Sequence, residues 1–342
     1  MSRVMQSIVL KRQPGQHLCP DDFELAGAAP HGSLREGEVR LRVRWLSIDP
    51  YQRGLLDQTP MFGRRVTVGD VMAGRGIGEV VESRSERFAP GDLAIGETGW
   101  AAEAVVPTES LAPVSGSAVC VSHYLGVLGV PGITAFLGLE ALGGASGVGQ
   151  GDVLLVSSAA GAVGSTVVQL AKARGAKVIG LTSGTAKTAL LWEQLKADGV
   201  IDRHQGQPLP HALSEAAPDG FSGFFDNVGE QVLVDGLAAL RPGGRALLCG
   251  YIAGYEASTP VAPAETLRVI MRQRLEVRGF LVHDHARRFG EARRSLERLL
   301  CSGHLQAVQT IVQGLGEAPA ALCDLLAGRT AGKVVVRLAE GG

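Results

Sequence analysis

The sequence predicts an α/β protein with two kinds of sheet. Three observations carry this. Between residues 128 and 302, short continuous apolar runs alternate with stretches of helical spacing. Before residue 128, short turn-bounded segments alternate apolar and polar residues. A glycine-bearing loop, Ser158–Gly164, joins the first apolar run to the first amphipathic stretch. Strands alternating with helices imply a parallel, doubly wound sheet, whereas alternation within strands implies a sheet with one wet face.

Taken in order, Val39-Arg40-Leu41-Arg42-Val43-Arg44-Trp45 has the period of a half-buried strand, and 78–81 and 91–96 are further strand candidates. This half reads as β-rich and partly barrel-like. Asp152–Ser157 is an apolar run suited to a strand buried on both faces. Val163–Arg174 follows with Val163, Val167, Leu170 and Ala171 on one helical face. Lys177–Leu181, Gly223–Asp226, Arg245–Gly250 and Leu275–Phe280 are the next strands, then a helix over Arg287–Leu300 and a last strand over Lys333–Leu338. The expected organisation is a β-rich domain over 1–127, a dinucleotide-binding domain over 128–302, and a return to the first domain over 303–342.

Composition narrows the function classes. The chain has 342 residues and 47 glycines, against about 24 at average usage. Lys plus Arg is 33 and Asp plus Glu is 34, so no basic surplus exists to neutralise nucleic-acid phosphates. The pairs Arg287–Arg288 and Arg293–Arg294 read as a solvated helix face. Five cysteines without a C-x-x-C pair argue against a disulfide framework. Residues 1–15 have no signal-peptide core, and Leu125–Leu139, interrupted by Gly and Pro, is too short to span a bilayer. A soluble protein of the cytoplasm is expected.

Ser158-Ala159-Ala160-Gly161-Ala162-Val163-Gly164 lies where a dinucleotide fingerprint must lie. A pyrophosphate is attracted by the unpaired N–H groups and dipole of a helix N-terminus. Gly161 lets backbone approach the phosphates, and Gly164 lets helix and strand pack closely. Ala159 replaces the usual first glycine. An NAD-specific loop has an acid about 20 residues on, but residues 177–192 contain none. The strand instead ends Thr182-Ser183-Gly184, with Lys187 beyond it. Ser183 and Lys187 suit a 2′-phosphate, and Arg203 is a second candidate partner. This predicts NADP(H); the plainer reading of Lys187 is a solvent-facing helix residue. No H-E-x-x-H or G-H-E run marks a zinc site. His283 and His285, on one face if they lie in a strand, have no nearby Cys. No metal is expected, and hydride transfer from the nicotinamide is the remaining redox chemistry.

Further runs then narrow the choice. They are Leu46-Ser47-Ile48-Asp49-Pro50-Tyr51-Gln52-Arg53, Leu128-Gly129-Val130-Pro131-Gly132-Ile133-Thr134-Ala135, Phe225-Asp226-Asn227-Val228-Gly229, Cys249-Gly250, Gly279-Phe280-Leu281-Val282 and Gly332-Lys333. With them the chain resembles the zinc-independent medium-chain dehydrogenase/reductases. Within these it is similar to the prostaglandin reductase, plant alkenal double-bond reductase and bacterial curcumin reductase group. The resemblance implies a GroES-like β-rich catalytic domain, a Rossmann cofactor domain, and an active site in their cleft. It implies NADPH-dependent reduction of the C=C bond of α,β-unsaturated ketones or aldehydes. By motif position, Lys187 holds the 2′-phosphate, and Asn227 and Val228 lie by the nicotinamide ribose. Phe280, Leu281 and Val282 pass the nicotinamide amide, Gly250 borders the cleft, and Thr134 and Tyr255 line it. Homodimers form in this group through an edge strand, here Arg274–Phe280.

Four positions depart from the group. Arg203 stands where relatives often have a phosphate-contacting Tyr. Glu256 stands in place of Asn, Thr330 in place of a cofactor-contacting Asn, and Phe62 near a substrate-facing Tyr. Hydride addition to an enone makes an enolate, whose oxygen needs hydrogen-bond donors. Tyr51 and Tyr255 are the candidates, the alternative for Tyr51 being simple packing of the turn after Asp49-Pro50. A quinone oxidoreductase of the same fold and a non-enzymatic NADPH-binding protein are the rival readings.

Overall fold

The computed structural model describes residues 5–28, 32–61, 63–115, 119–144, 147–255 and 263–338. The chain divides into two compact units, Met1–Leu125 with Gln309–Gly342, and Gly126–Val308. In the first unit the chain runs through β1 (Met5–Leu10), β2 (Phe23–Ala28), β3 (Glu38–Ile48), the one-turn helix α1 (Tyr51–Gly54), β4 (Arg75–Ser83), β5 (Leu93–Glu97), β6 (Glu103–Pro107) and β7 (Ala112–Pro113). In the second it runs through α2 (Val130–Gly143), β8 (Val153–Val156), α3 (Gly164–Ala173), β9 (Lys177–Thr182), α4 (Thr185–Ala189), β10 (Gly199–Asp202), α5 (Leu209–Ala216), β11 (Phe221–Asp226), α6 (Glu230–Ala238), β12 (Leu240–Leu248), α7 (Pro263–Gln273), β13 (Glu276–Gly279) and α8 (Phe289–Cys301). It then returns to the first through β14 (Gln309–Gln313), α9 (Ala318–Leu326) and β15 (Lys333–Arg337).

The first unit is built on a seven-stranded sheet, ordered β14-β15-β3-β4-β5-β7, with β6 also paired to β3. Strand β15 pairs antiparallel with β3, setting Val334 opposite Ile48. The far end of the chain thus lies beside the Asp49-Pro50-Tyr51 turn. Along β3, Val39, Leu41 and Val43 are buried, as their alternation requires. The alternation does not reach Trp45. A register shift against β4 between Val43 and Trp45 turns Leu46 inward instead. Trp45 is left beneath the Arg337 guanidinium, 5.7 Å from it.

The second unit contains a six-stranded sheet, β10-β9-β8-β11-β12-β13, whose pairs are all parallel. Numbered within the sheet this is 3-2-1-4-5-6, the doubly wound order, with its switch point between β8 and β11. Ligands in such sheets bind beyond the strand ends at that point. Strands β8 and β11 are buried because helices cover both faces, and Leu155, Val156, Phe224 and Phe225 have no more than 0% exposure.

Gly132 and Gly138 lie within α2 and permit close packing: a Cβ on Gly138 would sit 2.9 Å from the Phe225 ring. One expectation needs correction here: the arginine pairs are not wholly solvated. Arg288 joins Glu140 at 2.7 Å, and Arg293 donates to the Leu128 carbonyl at 2.9 Å. These two side chains tie the α8 region to α2; Arg287 and Arg294 remain exposed.

Candidate functional site

The glycine loop leaves β8 at Ser157. Ser158 adopts a left-handed backbone (φ 46°), the turn that redirects the chain toward α3. The Gly161 N–H closes the turn on the Ser158 carbonyl at 2.8 Å. A Cβ on Gly161 would meet Ser158 Oγ at 2.8 Å, and one on Gly164 would meet the Ser158 carbonyl oxygen at 2.2 Å. The loop's own tightness therefore demands Gly164, whose neighbours are backbone atoms, while at Gly161 the nearest atom is a side-chain hydroxyl and the backbone lies at 3.1 Å. Ala159, in place of the first glycine, is fully buried. Its methyl is accommodated because Gly180 on β9 has no side chain: a Cβ there would lie 3.0 Å from it. Ala162 and Val163 complete the loop, and the Ser165 and Thr166 N–H groups at the start of α3 donate to the Gly161 and Val163 carbonyls at 2.9 and 3.0 Å.

Beyond β9, Gly184 (φ 89°) makes the turn into α4, which carries Lys187. The Gly184 N–H donates to both Asp202 carboxylate oxygens, at 3.1 and 3.0 Å, and the His204 N–H donates to the same group at 3.0 Å. Asp202 lies opposite Thr182 in the β9–β10 register. A search for acids along residues 177–192 misses it, because the neighbouring strand supplies it. Partial burial raises the Asp202 pKa, but the two backbone N–H bonds prevail and hold it below the usual carboxylate range. This acid is engaged with backbone amides. Burial, then the Arg203 charge, push the Lys187 ammonium pKa down, and Asp202 opposes them. Ser183 lies between Thr182 and Gly184 at the same strand end.

At the switch point, Ser157 Oγ donates to Asp226 Oδ1 at 2.6 Å, and Asp226 accepts the Val228 and Gly229 N–H groups at 3.1 and 2.9 Å. Asn227 is fixed at both ends: its N–H donates to Ser157 Oγ and its Nδ2 to the Ser157 carbonyl, each at 2.8 Å. Gly250 packs so closely that a Cβ would meet the Asn227 carbonyl oxygen at 2.5 Å. The ends of β8, β11 and β12 thus bring Asn227, Val228 and Gly250 together. Ser157 and Asp226, not singled out from the sequence, make that arrangement. Burial and Asp226 push the Cys249 thiol up to about 12, so it is inert at neutral pH.

The Phe280 N–H donates to the Leu248 carbonyl at 3.0 Å, which sets Phe280, Leu281 and Val282 beyond the end of β12. The Phe280 ring stacks on His285 at 5.1 Å. Leu281 is exposed and Val282 buried. His283 and His285 lie in a 3-10 turn, Val282–Arg288, and not in a strand, so the same-face argument fails. Among the described residues no three His, Cys, Asp or Glu side chains gather to hold a metal ion. Tyr255 ends a 3-10 turn, Ile252–Tyr255, whose Ala253 N–H donates to the Val228 carbonyl at 3.0 Å. Thr134 is buried in α2. Glu256 and Phe62 lie outside the described residues.

In the first unit, Tyr51 opens α1 and is half-buried against the core. Burial and the Asp49 and Glu97 charges push its phenol above its ordinary value. Asp49 itself receives the Lys333 ammonium at 2.6 Å. Thr330 Oγ1 is buried without a hydrogen-bond partner.

Residues 6–114 match the family model described as the N-terminal domain of oxidoreductase, and residues 162–298 the one described as zinc-binding dehydrogenase. The NADPH-dependent curcumin reductase of Escherichia coli (strain K12) is 32% identical over 97% of this chain and 96% of its own. The NADP(+)-dependent 2-alkenal reductase of Nicotiana tabacum is 30% identical over 98% of each chain. The chain belongs to the medium-chain dehydrogenase/reductase family. Among solved structures, that of CurA from Vibrio vulnificus in complex with NADPH matches with a TM-score of 0.90 at 31% identity, covering 98% of this chain and 100% of the other.

Proposed function

We propose that this family member is an NADPH-dependent reductase of the C=C bond of α,β-unsaturated ketones and aldehydes. The observation that supports the cofactor choice is that Asp202, the acid at the end of β10, is already engaged by the Gly184 and His204 N–H groups, while Lys187 on α4 and Arg203 after β10 supply cations there. Cations of this kind bind a 2′-phosphate. The glycine loop and the fixed Asn227 fit a dinucleotide laid across the switch point. When bound, NADPH supplies a hydride, which adds to the β-carbon and leaves an enolate that takes a proton at the α-carbon. The relatives to which the chain is similar include an NADPH-dependent curcumin reductase and an NADP(+)-dependent 2-alkenal reductase, and curcumin and 2-alkenals are α,β-unsaturated carbonyl compounds.

In this reading Lys187, Arg203 and Ser183 hold the 2′-phosphate. Gly161, Ala162, Val163 and Gly164 present α3 to the pyrophosphate. Asn227, Val228 and Gly250 carry the nicotinamide ribose, and Thr134, Phe280, Leu281, Val282 and Thr330 complete the cofactor contacts. Tyr51 and Tyr255 are the donors to the enolate oxygen, and the raised pKa of Tyr51 keeps its phenol protonated and able to donate. The protein acts as a homodimer joined along β13. Its five unbonded cysteines accord with a cytoplasmic location, and no helix among the described residues is long and apolar enough to cross a membrane.

The test is turnover of 2-alkenals, enones and quinones with NADPH and with NADH, with product NMR to locate the reduced bond. Saturated ketones or aldehydes formed preferentially with NADPH are expected. Quinone turnover without C=C reduction would overturn the substrate class, and tight NADPH binding without turnover would overturn the enzyme assignment.

A further inference from the structure

The first unit buries a charge that its fold does not require. Lys333 opens β15 and is 2% exposed, in a strand whose next three residues are the buried Val334, Val335 and Val336. An apolar side chain at 333 suits such a strand. Burying an ammonium and a carboxylate together costs several kcal/mol per ion, and apolar replacements of buried ion pairs are often neutral or stabilising. Stability is thus a weak reason for the pair.

What the pair grips is more informative. Lys333 Nζ donates to the Ile48 carbonyl at 2.5 Å and to Asp49 Oδ1 at 2.6 Å. The other Asp49 oxygen accepts the Ser47 hydroxyl. The Asp49 N–H donates to Gln52 Oε1 at 2.9 Å, and Gln52 Nε2 donates to the Ser47 and Ala73 carbonyls, each at 3.2 Å. Gln52 is fully buried. Every polar side chain of Ser47-Ile48-Asp49-Pro50-Tyr51-Gln52 except the Tyr51 phenol is thereby engaged in this network. It ties β3, β15 and the segment before β4 to the turn on which Tyr51 stands.

We propose that Lys333 is a positioning residue for the Tyr51 phenol: through Asp49 it fixes the one-turn helix that carries the ring. This rests on the reading of Tyr51 as a donor to the enolate oxygen. The two motifs, Ser47–Gln52 and Gly332-Lys333, then form one device. An oxyanion donor works only at the position where charge develops, and misplacement by about 1 Å costs up to ~100-fold in rate.

The test is a cycle between the pair and the phenol, read as kcat and KM on a good enone with NADPH, NADPH affinity by fluorescence titration, and Tm. The variant Lys333→Met with Asp49→Asn removes both charges and leaves neither unpaired. Expected are a Tm close to the parent's, unchanged NADPH affinity, and kcat lowered ~10-fold or more with enone KM little altered. In a Tyr51→Phe background the same two changes should produce no further loss of kcat. Full kcat in the charge-free variant overturns the proposal. So does an equal loss in both backgrounds, which places the pair's effect elsewhere while leaving Tyr51 its role. Full turnover in Tyr51→Phe alone removes the Tyr51 reading, and the proposal with it. Should the charge-free variant fail to fold, Ser47→Ala, which releases one Asp49 oxygen, is read by the same cycle with a smaller expected loss, about 3–10-fold.

Discussion

Lys187 on α4 and Arg203 after β10 are the cations proposed to hold the 2′-phosphate, in a molecule with net charge −1. A charge-assisted hydrogen bond contributes about 1.5–3 kcal/mol. Lys187→Ala and Arg203→Ala are each expected to weaken NADPH binding by ~10–100-fold while leaving NADH binding nearly unchanged. Fluorescence titration with both nucleotides measures this, and equal losses for the two would sink the 2′-phosphate assignment. Tyr51 supports a pH prediction. Its folded-state pKa is raised, by burial and then by Asp49, so the folded protein keeps a proton that the unfolded chain loses near pH 10. That contribution to stability is complete below pH ~10 and is lost as pH rises above it. Tyr51→Phe should therefore lose less stability than the parent between pH 9 and 11 in parallel denaturant titrations. A phenol that remains protonated also predicts a kcat profile with no alkaline fall from Tyr51 below pH ~10.

Among the elements, the start of α3 is the most constrained. A methyl on Gly164 would lie 2.2 Å from the Ser158 carbonyl oxygen and 2.8 Å from Ala159 Cα, both backbone atoms that do not yield cheaply. Gly164→Ala is expected to cost about 1–3 kcal/mol and to weaken NADPH binding as the loop shifts; a thermal melt with and without NADPH reads both, and an unchanged Tm would refute the close packing. The same elements show what a sequence discloses. Strand β8 was legible because burial on both faces leaves an unbroken apolar run, and β9 and β11 through the shorter runs Val178–Leu181 and Phe224-Phe225. The loop was legible because helix–strand proximity excludes side chains at particular positions. Contacts made by folding were not legible: Ser157 meets Asp226 across 69 residues, and Lys333 meets Asp49 across 284. No local pattern encodes a partner that distant. The 3-10 turn of Val282–Arg288 was hidden too, because its alternating His283 and His285 imitate strand period.

For the whole molecule, the proposed homodimer is tested at a sheet edge. Strand β13 stands at an edge of the six-stranded sheet, and such an edge offers unpaired N–H and C=O groups to another chain. Glu276 and Arg278 are exposed on either side of Val277. A two-fold antiparallel pairing centred on Val277 sets Glu276 of each copy opposite Arg278 of the other, so one strand complements itself. Each opposite-charge pair contributes about 0.2–1 kcal/mol, and like charges in the same place oppose association by a similar amount. Arg278→Glu replaces two attractive pairs with two repulsive ones, a change of about 2 kcal/mol, or roughly 30-fold in the dimer dissociation constant. Glu276→Arg combined with Arg278→Glu restores the pairing with the signs exchanged. Light scattering across a dilution series should find the parent and the exchanged variant dimeric at concentrations where Arg278→Glu has dissociated. Association unaffected by Arg278→Glu would place the dimer contact elsewhere than a β13 pairing centred on Val277.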